Sequence, residues 1–301
     1  MIMRIDWQVV TELGLGVLRA RGADTLSFLQ GQLSNDVTRL QAGSLQLSGY
    51  HTPQGRAIAL LRLTPLAPDD VLAVLPRELV PAVLTRLRRY VLRAKVQLTD
   101  ETAQWQILGY AGTPSALPAQ ALALPYDSSR QLVLIPRIAA AAPWAPPAAT
   151  IAGSRDDWAA CEVAAGLPQV YLPTSEAFVA QMLNLDVVGG ISLDKGCYTG
   201  QEIIARAHYR GQVKRRLQRF ESATPCRLAP GLGGVLADGR SFKVVEAAAL
   251  ADGRCAFLAV THPAPYPDTA TAELQEPELA AGAETQTLIN ARQLPLPYAL
   301  P

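Results

Sequence analysis

The stretch Lys195-Gly196-Cys197-Tyr198-Thr199-Gly200-Gln201-Glu202, continued by Ile203-Ile204-Ala205-Arg206-Ala207-His208-Tyr209-Arg210-Gly211, decides how this chain is read. Thr199 and Glu202 have the spacing of a capping box, in which hydroxyl and carboxylate satisfy each other's backbone amides, so a helix is expected from Gly200. Tyr198 and Ile203 fall at the two positions of a hydrophobic staple. Gly211 suits the stop, with Arg206 and Arg210 in the last turns where cations match the helix dipole. Glu202 and Arg206 are spaced as an i,i+4 pair.

Cys197 stands just ahead of that helix and beside Lys195, a setting that stabilises a thiolate. The alternative is a buried, inert thiol, since free Cys is among the most buried residue types. Gly196 and Gly200 leave the backbone bare on either side, as a closely approaching ligand requires.

Outward from the stretch, residues after Lys214 turn to short β-type runs, including Phe242 to Val245 and Ala256 to Thr261, separated by Gly, Pro and Asp turns. Upstream, Ser154 with Asp157 opens a helix through Trp158, Cys161 and Ala165, stopping at Gly166. Ser175 and Glu176 are expected to open another. Ala139 to Ala149 is an Ala/Pro linker, while Gln104 to Tyr110 and Gln131 to Ile135 read as strands.

Nearer the start, residues 14 to 22 form a strand, and Asp24 caps a helix carrying Leu26, Phe28, Leu29 and Leu33. Asn35 and Asp36 suit the cap of a second short helix. Two alternating runs between Leu45 and Leu63 flank Thr52-Pro53-Gln54-Gly55, a β-hairpin in which His51, with no carboxylate nearby in sequence, is expected to be structural. Leu79, Val83, Leu84, Leu87 and Val91 mark an amphipathic helix whose other faces carry Arg86, Arg88, Arg89, Arg93 and Lys95.

At 301 residues the chain exceeds what one core usually supports. A net charge of +1 gives no global field for nucleic acid or membrane. Four separated cysteines without C-x-x-C write no zinc or iron–sulfur site, and fit a reducing cytoplasm. Met1 to Trp7 lacks a signal-peptide core, and no run approaches a membrane span. Mixed element order without sustained βαβ alternation gives an α+β class.

The stretch K-G-C-Y-x-G-Q-E resembles the signature of the folate-binding YgfZ family, relatives of the glycine-cleavage T-protein, and every signature residue is present. Resemblance continues through Phe28 to Val37, Thr52 to Arg56, Asn184-Leu185-Asp186 and Tyr209 to Arg215. It implies three domains around a central folate cavity: residues 1–46 with 104–212, an inserted α+β domain at 47–103, and a C-terminal β-barrel at 213–301. Tetrahydrofolate or a one-carbon derivative is the implied ligand, held by Lys195, Gly196, Tyr198, Gly200, Gln201, Glu202, Arg206, Arg210 and Asn184, with Lys214 also placed for the glutamate tail. Cys197 is the implied reactive residue, and the implied role is support of iron–sulfur cluster assembly or repair in client proteins, and thereby of tRNA modification.

Two departures bear on activity. Where the T-protein has R-x-E-x-G, this chain has Glu162-Val163-Ala164-Ala165-Gly166, so the pterin-holding acid is Ala164. Where the T-protein carries its catalytic Asp, this chain runs Val74-Leu75-Pro76-Arg77-Glu78-Leu79, with Glu78 expected at the surface. A one-carbon transferase of aminomethyl type is therefore the weaker alternative. A third reading, an RNA-binding regulator, rests on Arg206, Arg210, Lys214, Arg215, Arg216 and Arg219 with Tyr209 and Phe220 as stacking rings; folate-tail binding explains that run equally well.

Overall fold

The computed structural model describes residues 8–111, 120–124, 127–137, 145, 150–210, 213–263 and 287–301. Met1 to Trp7, nearly all of the Ala/Pro stretch and the expected stop at Gly211 lie outside the described residues. In chain order come β1 (Val9–Val10), β2 (Leu15–Arg21), α1 (Thr25–Gln32), β3 (Gln46–His51), β4 (Ala57–Ala67), β5 (Asp70–Pro76), α2 (Val80–Arg88) and β6 (Gln97–Asp100). There follow β7 (Trp105–Ala111), β8 (Gln120–Leu124), β9 (Asp127–Pro136), α3 (Arg155–Ala165) and α4 (Gln201–Arg210). The last six strands are β10 (Arg216–Ser222), β11 (Gly233–Leu236), β12 (Ser241–Ala249), β13 (Cys255–Thr261), β14 (Thr287–Ile289) and β15 (Ala291–Leu294).

Three sheets result, ordered β3-β4-β5-β2-β6, β1-β7-β9-β8 and β14-β11-β12-β13-β10-β15. The mixture is α+β, and the last sheet is nearly closed and barrel-like. The first sheet takes strands from both sides of residue 46, because β2 pairs with β5 along its whole length, Leu15 opposite Pro76 and Arg21 opposite Asp70.

That sheet is covered on both faces. Along β5, Val71, Ala73 and Leu75 pack with Phe28 and Leu29 of α1 and Val83 and Leu87 of α2, whereas Leu72 and Val74 pack with Ile107, Leu132 and Trp158. Period-2 alternation between two apolar environments is why β5 reads as an unbroken apolar run. Phe220, Phe242 and Phe257 fill the barrel-like sheet, two of them stacked with centroids 5.2 Å apart.

Local signals behave as expected where nothing competes with them. Ser154 accepts from the Asp157 amide and Asp157 reaches back to the Ser154 amide, while Gly166 ends α3 at φ +65°. Asp36 caps the short turn Val37–Arg39. Asp24 precedes α1 without capping it, since its carboxylate accepts from the Lys95 amide at 2.6 Å.

Ser175 and Glu176 open no helix, correcting the expectation. The Ser175 hydroxyl donates to the Ile58 carbonyl and the Glu176 amide to the Ala57 carbonyl, so the segment docks on the start of β4. Glu176 also sits at φ +63°, which no helix admits. Among the described residues no helix is long and apolar enough to cross a membrane.

Candidate functional site

Residues 195 to 200 form a loop leading into α4, held from three directions. The Lys195 ammonium turns inward and donates to the carbonyls of Gln30, Leu33 and Asn35 at 2.7, 2.5 and 2.8 Å. Three donors meet three acceptors, and the nitrogen also lies 5.1 Å from the Tyr198 ring centroid. Burial pushes the Lys195 pKa down to about 8, with Asp36 acting weakly in the opposite sense. Its three hydrogens are thus committed to the corner after α1, which leaves none to donate to Cys197.

The second hold is Gly200. It adopts φ +85°, and a Cβ there would lie 2.5 Å from the Thr52 carbonyl oxygen, so only glycine lets the loop meet the hairpin turn. The same backbone shifts the helix start. Gly200 cannot be helical, its carbonyl accepts from the Ile204 amide at 3.2 Å, and α4 begins at Gln201. Among the described residues the Thr199–Glu202 capping box does not form. Ile203 packs over Gly55 of the hairpin turn, where a Cβ would meet it at 3.2 Å.

The third hold is Tyr198, whose ring is buried. Its hydroxyl is buried without a hydrogen-bond partner, and burial pushes its pKa up to about 12. Between these anchors Cys197 is exposed, unlike buried Cys161 and Cys255. Burial is the main cause that pushes the Cys161 and Cys255 thiols up to about 11. A Cβ on Gly196 would meet nothing within 4 Å, so space lies open beside the thiol.

Thr199 also lines a cleft of about 570 Å³ between the hairpin turn and α2. Its floor includes His51, which is 1% exposed and has no hydrogen bond at either ring nitrogen. Burial drives the His51 pKa down to about 4; the Gly55 backbone opposes this without reaching hydrogen-bond geometry. His51 is therefore structural in being core, but not hydrogen-bonded as its type suggested.

A second, nearly filled void of about 20 Å³ lies where the three sheets meet, bordered by Leu15, Arg62, Trp158, Glu162, Tyr171 and Glu246. Arg62 and Arg130 each pair with Glu162, at 2.6 and 3.2 Å, and Arg130 also pairs with Asp127 at 2.5 Å. Tyr171 donates to Glu246 at 2.5 Å. Burial pushes Glu246 up to about 7 against those hydrogen bonds.

No family model matches the chain. An uncharacterized protein of Haemophilus influenzae is 31% identical over 213 residues, covering 69% of this chain and 71% of its own. The tRNA-modifying protein YgfZ of Yersinia pseudotuberculosis is 29% identical over 241 residues, covering 70% and 68%. That of Edwardsiella ictaluri is 31% identical over 223 residues, covering 66% of each.

The chain belongs to the YgfZ family.

Its fold is also that of the T-protein: the glycine cleavage system aminomethyltransferase T of Bartonella henselae superposes with a TM-score of 0.61 at 12% identity, over 84% of this chain and 78% of that one.

In this YgfZ-family chain the other residues singled out in the sequence lie apart from the loop or at its margins. Gln201 reaches back to the Lys195 carbonyl at 3.4 Å. Glu202 and Arg206 are exposed on α4, and among the described residues no ion pair joins them; the Arg210 side chain lies outside what is described. Asn184 is buried at φ +56°, its amide donating to the Leu217 carbonyl and the Tyr298 hydroxyl, so it ties the loop region to the barrel-like sheet.

The basic run divides. Lys214 is exposed, but Arg216 is buried in a two-pronged pair with Asp186 at 3.0 and 2.9 Å, and Phe220 lies wholly inside the barrel-like sheet. The expected stacking role of Phe220 is corrected by β10, whose alternation sends both residues inward. Glu78 is exposed as expected, accepting from the Leu172 amide at 2.7 Å. The residues missed in the sequence are Arg62, Arg130 and Glu246; the only local signal was charge inside strands that otherwise read as core.

Proposed function

We propose that this protein is a cytoplasmic, tetrahydrofolate-binding accessory factor that supports iron–sulfur cluster assembly or repair in client proteins, and thereby tRNA modification, through the thiol of Cys197. The observation that carries the reading is a thiol left exposed on a loop pinned by Lys195, Gly200 and Tyr198. Relatives named as tRNA-modifying proteins and a T-protein-like fold support it. Four free cysteines suit a reducing compartment.

The residues present fit a folate. The Tyr198 hydroxyl is a buried polar atom lacking a partner, and Gly196, next to Cys197, leaves open space beside the thiol. Exposed Arg206 and Lys214 suit the carboxylates of a glutamate tail. A bound reduced folate supplies one-carbon chemistry; the chain itself supplies the pinned backbone, the cations and the thiol. Aminomethyl transfer is less well supported, because Ala164 replaces the pterin-holding acid and Glu78 is occupied by a backbone amide.

In native protein, alkylation is expected to reach Cys197 before Cys161 and Cys255, and Cys197→Ser to lose rescue of iron–sulfur enzymes while staying folded. Calorimetry with tetrahydrofolate should give a saturable heat, and Arg206→Ala should weaken a polyglutamylated folate more than the monoglutamate. A fully rescuing Ser variant would remove the thiol from the mechanism; absence of binding by any reduced folate would remove the ligand.

A further inference from the structure

The basic turn after α2 takes no part in anchoring the loop around Cys197. Arg88, Arg89, Tyr90, Leu92, Arg93 and Lys95 are all exposed within the run Arg88 to Lys95, which contains no acid. Arg88 donates to the Leu98 carbonyl at 2.7 Å, and among the described residues no carboxylate lies within ion-pair distance of Arg88, Arg89, Arg93 or Lys95. The Asp24 carboxylate meets the Lys95 backbone amide at 2.6 Å instead of the ammonium. The dipole of α2 accounts for Arg86 and Arg88 in its last turn, but Arg93 and Lys95 lie beyond the helix.

Leu92 is the second, independent observation. It is 89% exposed and Tyr90 is 49% exposed, while Val91 between them packs against the core. Leu92 also holds φ +38°, a left-handed backbone that glycine adopts freely and a leucine adopts only at a cost. The turn is fixed in this form: the Val91 amide donates to the Arg88 carbonyl at 3.3 Å and the Ala94 amide to the Val91 carbonyl at 2.7 Å. A Cβ on Gly22 would lie 2.2 Å from the Lys95 carbonyl oxygen, so the far end of the turn is seated against the chain ahead of α1. Neither solvation nor packing within the chain calls for a strained leucine presented to solvent; an apolar receiver does.

We propose that this turn docks on an anionic lipid bilayer, with Tyr90 and Leu92 entering the boundary between headgroups and acyl chains and the four cations around them meeting lipid phosphates. Such a surface places apolar depth directly beneath a layer of negative charge, which matches the interleaving of cations and apolar side chains in R-R-Y-V-L-R-A-K. Nucleic acid offers phosphates and rings but no receiver for an aliphatic tip. A second copy of the chain would set cations against cations across a two-fold axis. The net charge of +1 makes the attraction local to the turn, and the attachment is peripheral and reversible. It is independent of a folate held at Cys197.

Co-sedimentation of the full chain with vesicles of phosphatidylcholine alone, and of phosphatidylcholine mixed equally with phosphatidylglycerol, tests this. Binding to the anionic vesicles is expected to be at least about tenfold stronger than to the neutral ones and to fall as salt is raised. Leu92→Gly should weaken it about tenfold without lowering the melting temperature, because the substitution removes an exposed side chain and suits the left-handed backbone. Leu92→Met, which keeps the apolar tip, should retain it. Arg93→Gln together with Lys95→Gln should weaken it about tenfold or more, at about fivefold per cation. No sedimentation with anionic vesicles at millimolar lipid and low salt, or an unchanged partition in Leu92→Gly, overturns the proposal. So does a turn that binds single-stranded oligouridine but not the vesicles, which makes nucleic acid its partner.

Discussion

The loop before α4 and the junction of the three sheets both bury cations, but they compensate them differently. Lys195 is met by three neutral carbonyls and its pKa falls to about 8, whereas Arg130 is met by Glu162 and Asp127 and, against its burial, is held above its ordinary value. Dipoles satisfy hydrogen bonds without repaying all of a charge's lost hydration; carboxylates repay more of it and add their own burial cost. The loop therefore holds a cation whose charge burial disfavours, and the junction holds ions locked in pairs.

Glu162→Gln is the sharpest way to break the junction. It keeps the shape but leaves Arg62 and Arg130 short of compensation, and a buried pair broken on one side costs about 3–5 kcal/mol. Urea unfolding should show that loss while Cys197 alkylation in the native state stays unchanged; a loss below about 1 kcal/mol would mean water reaches the arginines.

The pH response separates the regions next. His51 has a folded pKa near 4, below the ordinary 6.5, so its contribution is full above pH 6.5 and is lost as pH falls through 4. Glu246 is raised from 4.5 to about 7, so its contribution is full below pH 4.5 and is lost as pH rises through 7. Each amounts to about 3 kcal/mol over its window, and between pH 4.5 and 6.5 they oppose each other. Stability measured against pH should therefore rise more steeply in Glu246→Gln than in wild type, and less steeply in His51→Leu. Parallel profiles for all three would show that neither group is buried in solution as described.

The smallest effect is expected at the loop. Lys195→Met removes the donor from three carbonyls, of which those of Gln30 and Asn35 are only partly buried and can recruit water while that of Leu33 is buried, so about 1–3 kcal/mol is expected. Cys197 alkylation should accelerate as the loop loosens. An unchanged rate together with unchanged stability would show that Gly200 and Tyr198 hold the loop alone.

What was legible in the sequence was mostly local. Ser154 with Asp157, Gly166, and the turn at Thr52 to Gly55 act within a few residues, and each appears as expected. The signature was legible too, but its anchoring was not. Lys195 bonds across 160 to 165 residues, and no window around it contains its partners. Ser175 and Glu176 carried a start signal that lost to the unpaired edge of β4, a competition settled only once β4 is in place. Arg216 and Phe220 were grouped by charge and aromaticity, whereas period-2 alternation in β10 decided where they point.

Gly200 and the Thr52 carbonyl it touches fix the permissible length of the hairpin tip. Surface hairpin tips ordinarily accept insertions and deletions. Here a longer or shorter turn between Thr52 and Gly55 would displace the carbonyl against which the thiol-bearing loop is seated, so length change at an exposed tip is transmitted to Cys197 without any residue of the loop being altered.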